Sequence, residues 1–283
     1  MSKAVAIGQV PWSREDMLGK LEEFSALYDD GPIKDIMGGM LSSHVFLSWF
    51  VSRTHRPKAI IESGVWLGQG TWFFEKACPD AQLYCIDLNL DCIRYRPNRA
   101  EYFDRDFSTI DWNHLPKDET DLFFDDHQDA CERVKTAKWF GFKHLIFEDD
   151  YPPLQGDCYS LKKAFSHSGF RVAPPRSQSL RSNLRWRALA MSRRILAALG
   201  VTNYERRRVP PNKADAAYLR QNLEICCELP PILEMKRTRW GDLWNDGDYP
   251  TPEPLLNSVD KEYQRRYLDE AIHYTWMWYA RLK

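Results

Sequence analysis

Five short apolar runs fall between Lys58 and Asp150, and four of them end in acids. The runs are Ala59–Ser63, Leu83–Leu88, a weaker Tyr102–Phe107, Leu122–Asp125 and His144–Phe147, and the acids are Glu62, Asp87, Asp125-Asp126 and Glu148-Asp149-Asp150. Helix-length segments separate the first two runs and the last two. In the second of these, Asp129 to Phe142, Ala130, Val134, Ala137 and Phe140 recur at helical spacing. Strand-length runs alternating with helices predict βαβ units and a mainly parallel sheet covered on both faces. Ligands bind such sheets beyond the carboxyl ends of the strands, and that is the edge where the acids collect.

The segments on either side are of a different kind. Ser13 with Asp16 reads as a helix start close to a capping box, and Met17, Leu21, Phe24 and Tyr28 follow at helical spacing. A second helix is expected from Ser42, with Val45, Phe46, Trp49 and Phe50 inward. Residues 1–56 are therefore read as a helical segment, and 57–283 as the main domain. Asp157 to Gly169 reads as one more helix, with Leu161, Ala164 and Phe165 on its apolar side. From Pro174 to Lys213 ten Lys/Arg face a single acid, Glu205, which marks a basic insertion at about 174–228. The insertion is either a solvated face or a basic lid for an anionic partner. Ile232–Met235 and the run from His273 to Leu282 read as the last strands, with a Trp-rich loop, Trp240 to Pro254, between them. A helical stretch is expected around Tyr263–Ile272.

Composition excludes some classes. A net charge of −1 gives no general case for nucleic acid. Seven scattered cysteines without a CxxC pair suit neither a zinc knuckle nor a disulfide framework, so a reducing cytoplasm is the expected setting. No run is long and apolar enough for a membrane span, and the first residues do not read as a signal peptide.

The first run opens into Glu62-x-Gly64-x-x-x-Gly68-x-Gly70-Thr71. This is the grammar of a strand, a tight turn and a helix N-terminus, whose free N–H groups suit an anionic or polar ligand. The spacing differs from the GxGxxG of nicotinamide sites. Asp87 lies about twenty residues on, where an acid can accept from ribose hydroxyls. The alternative for Asp87 is a strand-end acid that caps the next turn. At the other strand ends, Asp125-Asp126-His127 and Glu148-Asp149-Asp150 place five carboxylates in a cleft, where they repel. Raised pKa values, neighbouring cations or a bound divalent ion would each compensate, and all-oxygen ligands favour Mg²⁺ over zinc. His144 is far from the acidic edge and reads as structural. Trp66 and Trp72 read as packing residues.

On these motifs, residues 57–170 resemble the class I S-adenosylmethionine-dependent methyltransferases, and the acidic strand ends resemble the metal-dependent O-methyltransferases of the catechol and cephalosporin-hydroxylase-like groups. The resemblance implies a Rossmann-like, doubly wound, seven-stranded and mainly parallel α/β sheet with leading helices and the basic insertion before the last strands. It implies S-adenosylmethionine along Glu62, Gly64, Gly68, Gln69 and Thr71, with Asp87 on the ribose and Asp106 on the adenine. It implies Mg²⁺ on Asp126, Asp149 and Asp150, with Glu148 as the alternative. The expected catalytic residues are Asp126, through the ion, and His127, whose imidazole suits a general base and whose alternative is a structural role. The expected activity is O-methylation of a hydroxyl on a sugar, glycan or other polar small molecule, in a chain that does or does not form a homo-oligomer. The rival expectations are a metal-independent methyltransferase with His127 as base, a dinucleotide-dependent oxidoreductase, and a non-catalytic nucleotide-binding module of the same fold.

Overall fold

The computed structural model describes residues 6–36, 38–153, 155–170, 209–234, 251–271 and 276–283. Most of the basic insertion, the Trp240, Trp244 and Tyr249 loop, and His273 to Thr275 lie outside the described residues.

The strands are β1 (Ala6–Ile7), β2 (Ala59–Ser63), β3 (Gln82–Ile86), β4 (Ala100–Phe103), β5 (Thr120–Phe124), β6 (His144–Phe147), β7 (Leu223–Glu228) and β8 (Trp278–Leu282). The helices are α1 (Arg14–Leu18), α2 (Leu21–Asp30), α3 (Ser42–His55), α4 (Gln69–Ala77), α5 (Ala130–Phe140), α6 (Leu161–Phe165), α7 (Ala214–Asn222) and α8 (Arg265–Asp269). The sheet runs β1-β7-β8-β6-β5-β2-β3-β4. Neighbours from β6 through β4 are parallel, while β8 runs against both β6 and β7, and β1 against β7. The parallel part has the 3-2-1-4-5 order of a Rossmann-like sheet. The reversed β8 stands where a dinucleotide-binding sheet has its sixth parallel strand.

Alternate residues of each strand face two cores. Ile60, Phe123 and Ile146 pack with Phe24, Phe46, Trp49 and Phe73 of the α2–α4 layer. Their neighbours Ile61, Leu122 and Leu145 pack with Val134, Ala137, Leu161 and Leu219 of α5, α6 and α7. Local chemistry sets the element ends. Ser13 and Asp16 form the capping box of α1. Asp129 caps α5, and Gly141, at φ +89°, stops it.

Five expectations change. Among the described residues the sheet has eight strands, because Ala6 and Ile7 pair with Cys227 and Cys226 at its edge. Leu223–Glu228, within the span assigned to the insertion, is a full sheet strand. Ile232–Met235 is not a strand among the described residues; it follows two prolines that lack N–H donors, and Leu233 makes only an isolated bridge to Leu256. The helix expected over Asp157–Gly169 is confined to Leu161–Phe165, and the stretch expected around Tyr263–Ile272 holds, among the described residues, a 3₁₀ turn, Glu262–Gln264, followed by α8. All seven cysteines are free. Among the described residues no helix is long and apolar enough to cross a membrane.

Candidate functional site

Chain connectivity reverses between β2 and β5, and the crevice beyond their carboxyl ends is the topological switch point. The glycine loop leaves β2 there. Gly64 takes φ +97°, and a Cβ on it would run into the Asp125 carbonyl. Gly68 takes φ +91° at the start of α4, against the Tyr95 carbonyl. Both glycines are therefore demanded by close approach of protein backbone.

Asp87, after β3, accepts from the amides of Val65 at 3.1 Å, Trp66 at 2.8 Å and Asn89 at 2.9 Å. It holds the loop in place, so the turn-capping alternative describes its contacts in this structure. Glu62 is buried and accepts from the Thr71 hydroxyl at 2.5 Å, and its Oε1 has no hydrogen-bond partner. Burial pushes the Glu62 carboxyl up to about 8. Gln69 and Thr71 are buried beneath the loop. Trp72 packs in the core, edge-on to Phe73. Trp66 does not pack as expected: it is 47% exposed, on a left-handed backbone at φ 51°.

The second half of the crevice is the acid corner. Asp125, His127 and Asp149 each bring one possible ligand atom within 4.8 Å of the others. His127 Nδ1 lies 2.9 Å from Asp149 Oδ2 and 3.1 Å from Asp157 Oδ1. Both residues bend out of their strand ends through left-handed backbone, His127 at φ 54° and Asp149 at φ 57°. Glu148 Oε1 lies 3.5 Å from Nδ1 of His44 on α3, and Glu148, like Asp149, is buried. Carboxylates crowded at two buried strand ends repel unless protons or cations compensate, so this corner is short of positive charge.

The pKa directions agree. Burial, then the Asp149 charge, raises the Asp125 carboxyl. Burial would also raise Asp149, but the His127 ring holds it below the usual carboxylate range. The hydrogen bonds to Asp149 and then Asp157 push His127 up to about 12. His127 is thus an imidazolium here. Nuclear magnetic resonance should find it charged across about pH 5–9, and Asp149→Asn, which removes an anion, should bring its pKa down. A His127 that titrates with the same midpoint in both proteins would contradict this geometry.

The set Asp126, Asp149 and Asp150 does not converge. Asp126 accepts from the Ser63 hydroxyl at 2.6 Å and pairs with Arg133 at 2.7 Å. Asp150 is buried and accepts from the amides of Leu161 at 2.6 Å and Lys162 at 3.1 Å, at the start of α6. Burial pushes its carboxyl up to about 7. Asp106 is held by the same Arg133, at 3.0 and 2.6 Å. Burial would raise the Asp106 carboxyl, but Arg133 and Ser108 hold it below the usual range. Arg133 escaped the sequence reading, as did Asp157. Its signal was present, because position 133 lies on the apolar face of α5 with Ala130 and Ala137.

No family model matches the chain, and no curated protein does. Among solved structures, an S-adenosylhomocysteine-bound methyltransferase from Podospora anserina is 14% identical, with 71% of this chain and 82% of that chain covered and a TM-score of 0.38. The O-methyltransferase TomG from Streptomyces achromogenes, in complex with SAM, is 13% identical over 66% and 80% of the two chains, at a TM-score of 0.36. A CmcI structure with Mg and SAM is 21% identical over 43% and 59%, at 0.32. At these identities and scores the functional reading rests on the chain's own geometry.

Proposed function

We propose that this chain is an S-adenosylmethionine-dependent methyltransferase that transfers methyl to a hydroxyl of a polar small molecule, assisted by a divalent ion. One observation carries the reading: the glycine loop and the acid corner are two walls of one crevice. The Asp125 amide donates to the Ser63 carbonyl at 2.8 Å, the Ser63 hydroxyl bonds Asp126, and Gly64 lies on the Asp125 carbonyl. A donor held on the loop would present its methyl group toward the acids. Displacement at a sulfonium needs the acceptor oxygen aligned behind that methyl, and a crevice built from two adjacent strand ends provides for both partners.

On the donor side, Glu62, Gly64, Gly68, Gln69 and Thr71 shape the loop. Asp87 has three of about four acceptor sites filled by amides, which leaves one for a ribose hydroxyl. Exposed Trp66 offers an aromatic face for a nucleobase. Trp66→Ala is expected to weaken S-adenosylhomocysteine binding about tenfold, the effect of losing one stacked ring, with an unchanged melting temperature. Calorimetry and a thermal melt read the two effects separately.

On the acceptor side, Asp125 and Asp149 bring carboxylate oxygens together beside His127, and such oxygen ligands would suit a hard divalent ion such as Mg²⁺. Such an ion would lower the pKa of the acceptor hydroxyl and fix its position. His127 is held protonated by Asp149 and Asp157, which speaks against its acting unaided as the base. Arg133 ties Asp106, beyond β4, to Asp126 at the acid corner. The loop spacing and the reversed β8 both argue against a nicotinamide dinucleotide.

The test is a pair of titrations. S-adenosylhomocysteine should bind and NAD should not, and Mg²⁺ or Mn²⁺ should bind to the chelated protein. Preferential NAD binding would overturn the class, whereas methyl transfer unaffected by a chelator would remove the ion.

A further inference from the structure

The opposite edge of the sheet carries a second cluster. Asp121 is the second residue of β5, His144 opens β6, and His55 ends α3. Four residues of strand separate Asp121 from Asp125, about 13 Å at the usual rise, so this cluster belongs to the amino-end edge and not to the crevice. His55 Nδ1 is 3.3 Å from Asp121 Oδ1, and the His55 and His144 rings are 4.6 Å apart. Each of the three residues brings a possible ligand atom within 4.8 Å of the other two.

Two features separate this group from an ordinary hydrogen-bonded pair. First, Asp121 is 1% exposed, and its Oδ2 has no hydrogen-bond partner; neither has the buried His55 Nε2. Buried polar atoms are nearly always partnered, so the orphaned oxygen of Asp121, the carboxylate that both histidine rings approach, points to a missing group. Second, the geometry suits an ion. Bonds of about 2.0–2.1 Å in a tetrahedral site place neighbouring ligand atoms about 3.3–3.4 Å apart, which is the observed His55–Asp121 separation. His144 Nδ1 lies 2.8 Å from the Tyr279 hydroxyl. With Nδ1–H donated to that oxygen, the Nε2 lone pair is free to ligate, and Tyr279 fixes the ring as outer partners of metal-binding histidines do.

We propose that His55, Asp121 and His144 bind a divalent transition ion of the Zn²⁺ class. Two imidazoles and one carboxylate favour zinc over Mg²⁺. Three protein ligands leave the fourth position to water, within reach of Asp121 Oδ2. The ion ties the end of α3 to β5 and β6. The same 14-residue helix carries His44 near its start, against Glu148, so an ion at His55 anchors the far end of a helix that walls the acid corner.

The experiment uses the full chain and zinc alone. Competition titration of the chelated protein should show one tight equivalent, retained in Asp149→Asn, which mutes the acid corner. That equivalent should weaken at least tenfold in His144→Gln and in His55→Gln, both checked for folding by circular dichroism. X-ray absorption of the zinc-loaded wild-type chain needs no variant and should show nitrogen and oxygen neighbours with imidazole scattering. A sulfur shell would assign the ion to the free cysteines. Loss of zinc with Asp149→Asn would assign it to the acid corner, and equal affinity in the histidine variants would place it elsewhere. Each of these three results overturns the proposal.

Discussion

Asp149→Asn should lower divalent-ion affinity at least tenfold and turnover by about 10²–10³-fold, the range seen when one preorganised electrostatic group is lost. The substitution is mild in shape. Asparagine tolerates the left-handed backbone that Asp149 adopts at φ 57°, and its amide fills the same volume. What changes is charge. Asp149 is buried, pairs with His127 at 2.9 Å and lies within 4.8 Å of Asp125. Without its charge the Asp125 carboxyl loses the stronger of the two anions that push it up, Asp126 being the other, and His127 keeps Asp157 as its carboxylate partner. S-adenosylhomocysteine affinity should stay within about threefold, because the loop contacts of Glu62 and Asp87 are untouched. Calorimetry for both ligands and initial rates on a methyl acceptor make the check. A variant with wild-type turnover, or one in which donor affinity falls as far as ion affinity, would show that Asp149 does not belong to the acceptor side.

The strands that hold this site could be read from the chain because each combines an apolar run with an abrupt polar stop. Ala59–Ser63 and His144–Phe147 fold with the boundaries that pattern predicts. The helix after β5 was legible for the same reason, with Asp129 as its cap and Gly141 as its end. The edge strand β1 was not. It has two residues, and only its distant partner Cys226-Cys227 makes it a strand. The ends of β5 and β6 show where pattern reading stops. Along a strand, side chains alternate faces by rule. Past its end the rule lapses, and consecutive acids turn wherever a partner exists. Asp126 goes to Arg133 and Ser63, Asp150 to the start of α6, and Asp125 and Asp149 gather at His127. Spacing predicts that acids gather here. The choice among them is made by one arginine on α5 and two left-handed residues.

Gly64→Ala should destabilise the chain by about 3 kcal/mol or more, since it combines a strained backbone with a steric clash, and should abolish measurable donor binding. The two causes can be separated. Gly64 adopts φ +97°, which an L-residue enters at a cost of about 1–3 kcal/mol. Its Cβ would in addition be driven into the Asp125 carbonyl and lie 3.0 Å from the Asp126 amide. Neither neighbour can yield, because the Asp125 amide is already bonded to Ser63, and the Gly64 amide to Ile86 at 2.9 Å. Relief therefore requires β2 and β5 to part at the switch point, the place where donor and acceptor have to meet. Gly38→Ala is the control. Gly38 has a similar φ of +84° with nothing within 4 Å of the added methyl, so it isolates the backbone cost and should stay near 1 kcal/mol. Denaturant unfolding of the two variants measures the difference, and S-adenosylhomocysteine titration at low temperature measures the site. Equal destabilisation by the two alanines would mean that the glycine loop and the acid corner are not in backbone contact. If donor binding persisted in a folded Gly64→Ala chain, the ligand would have to be seated away from the crevice where β2 meets β5.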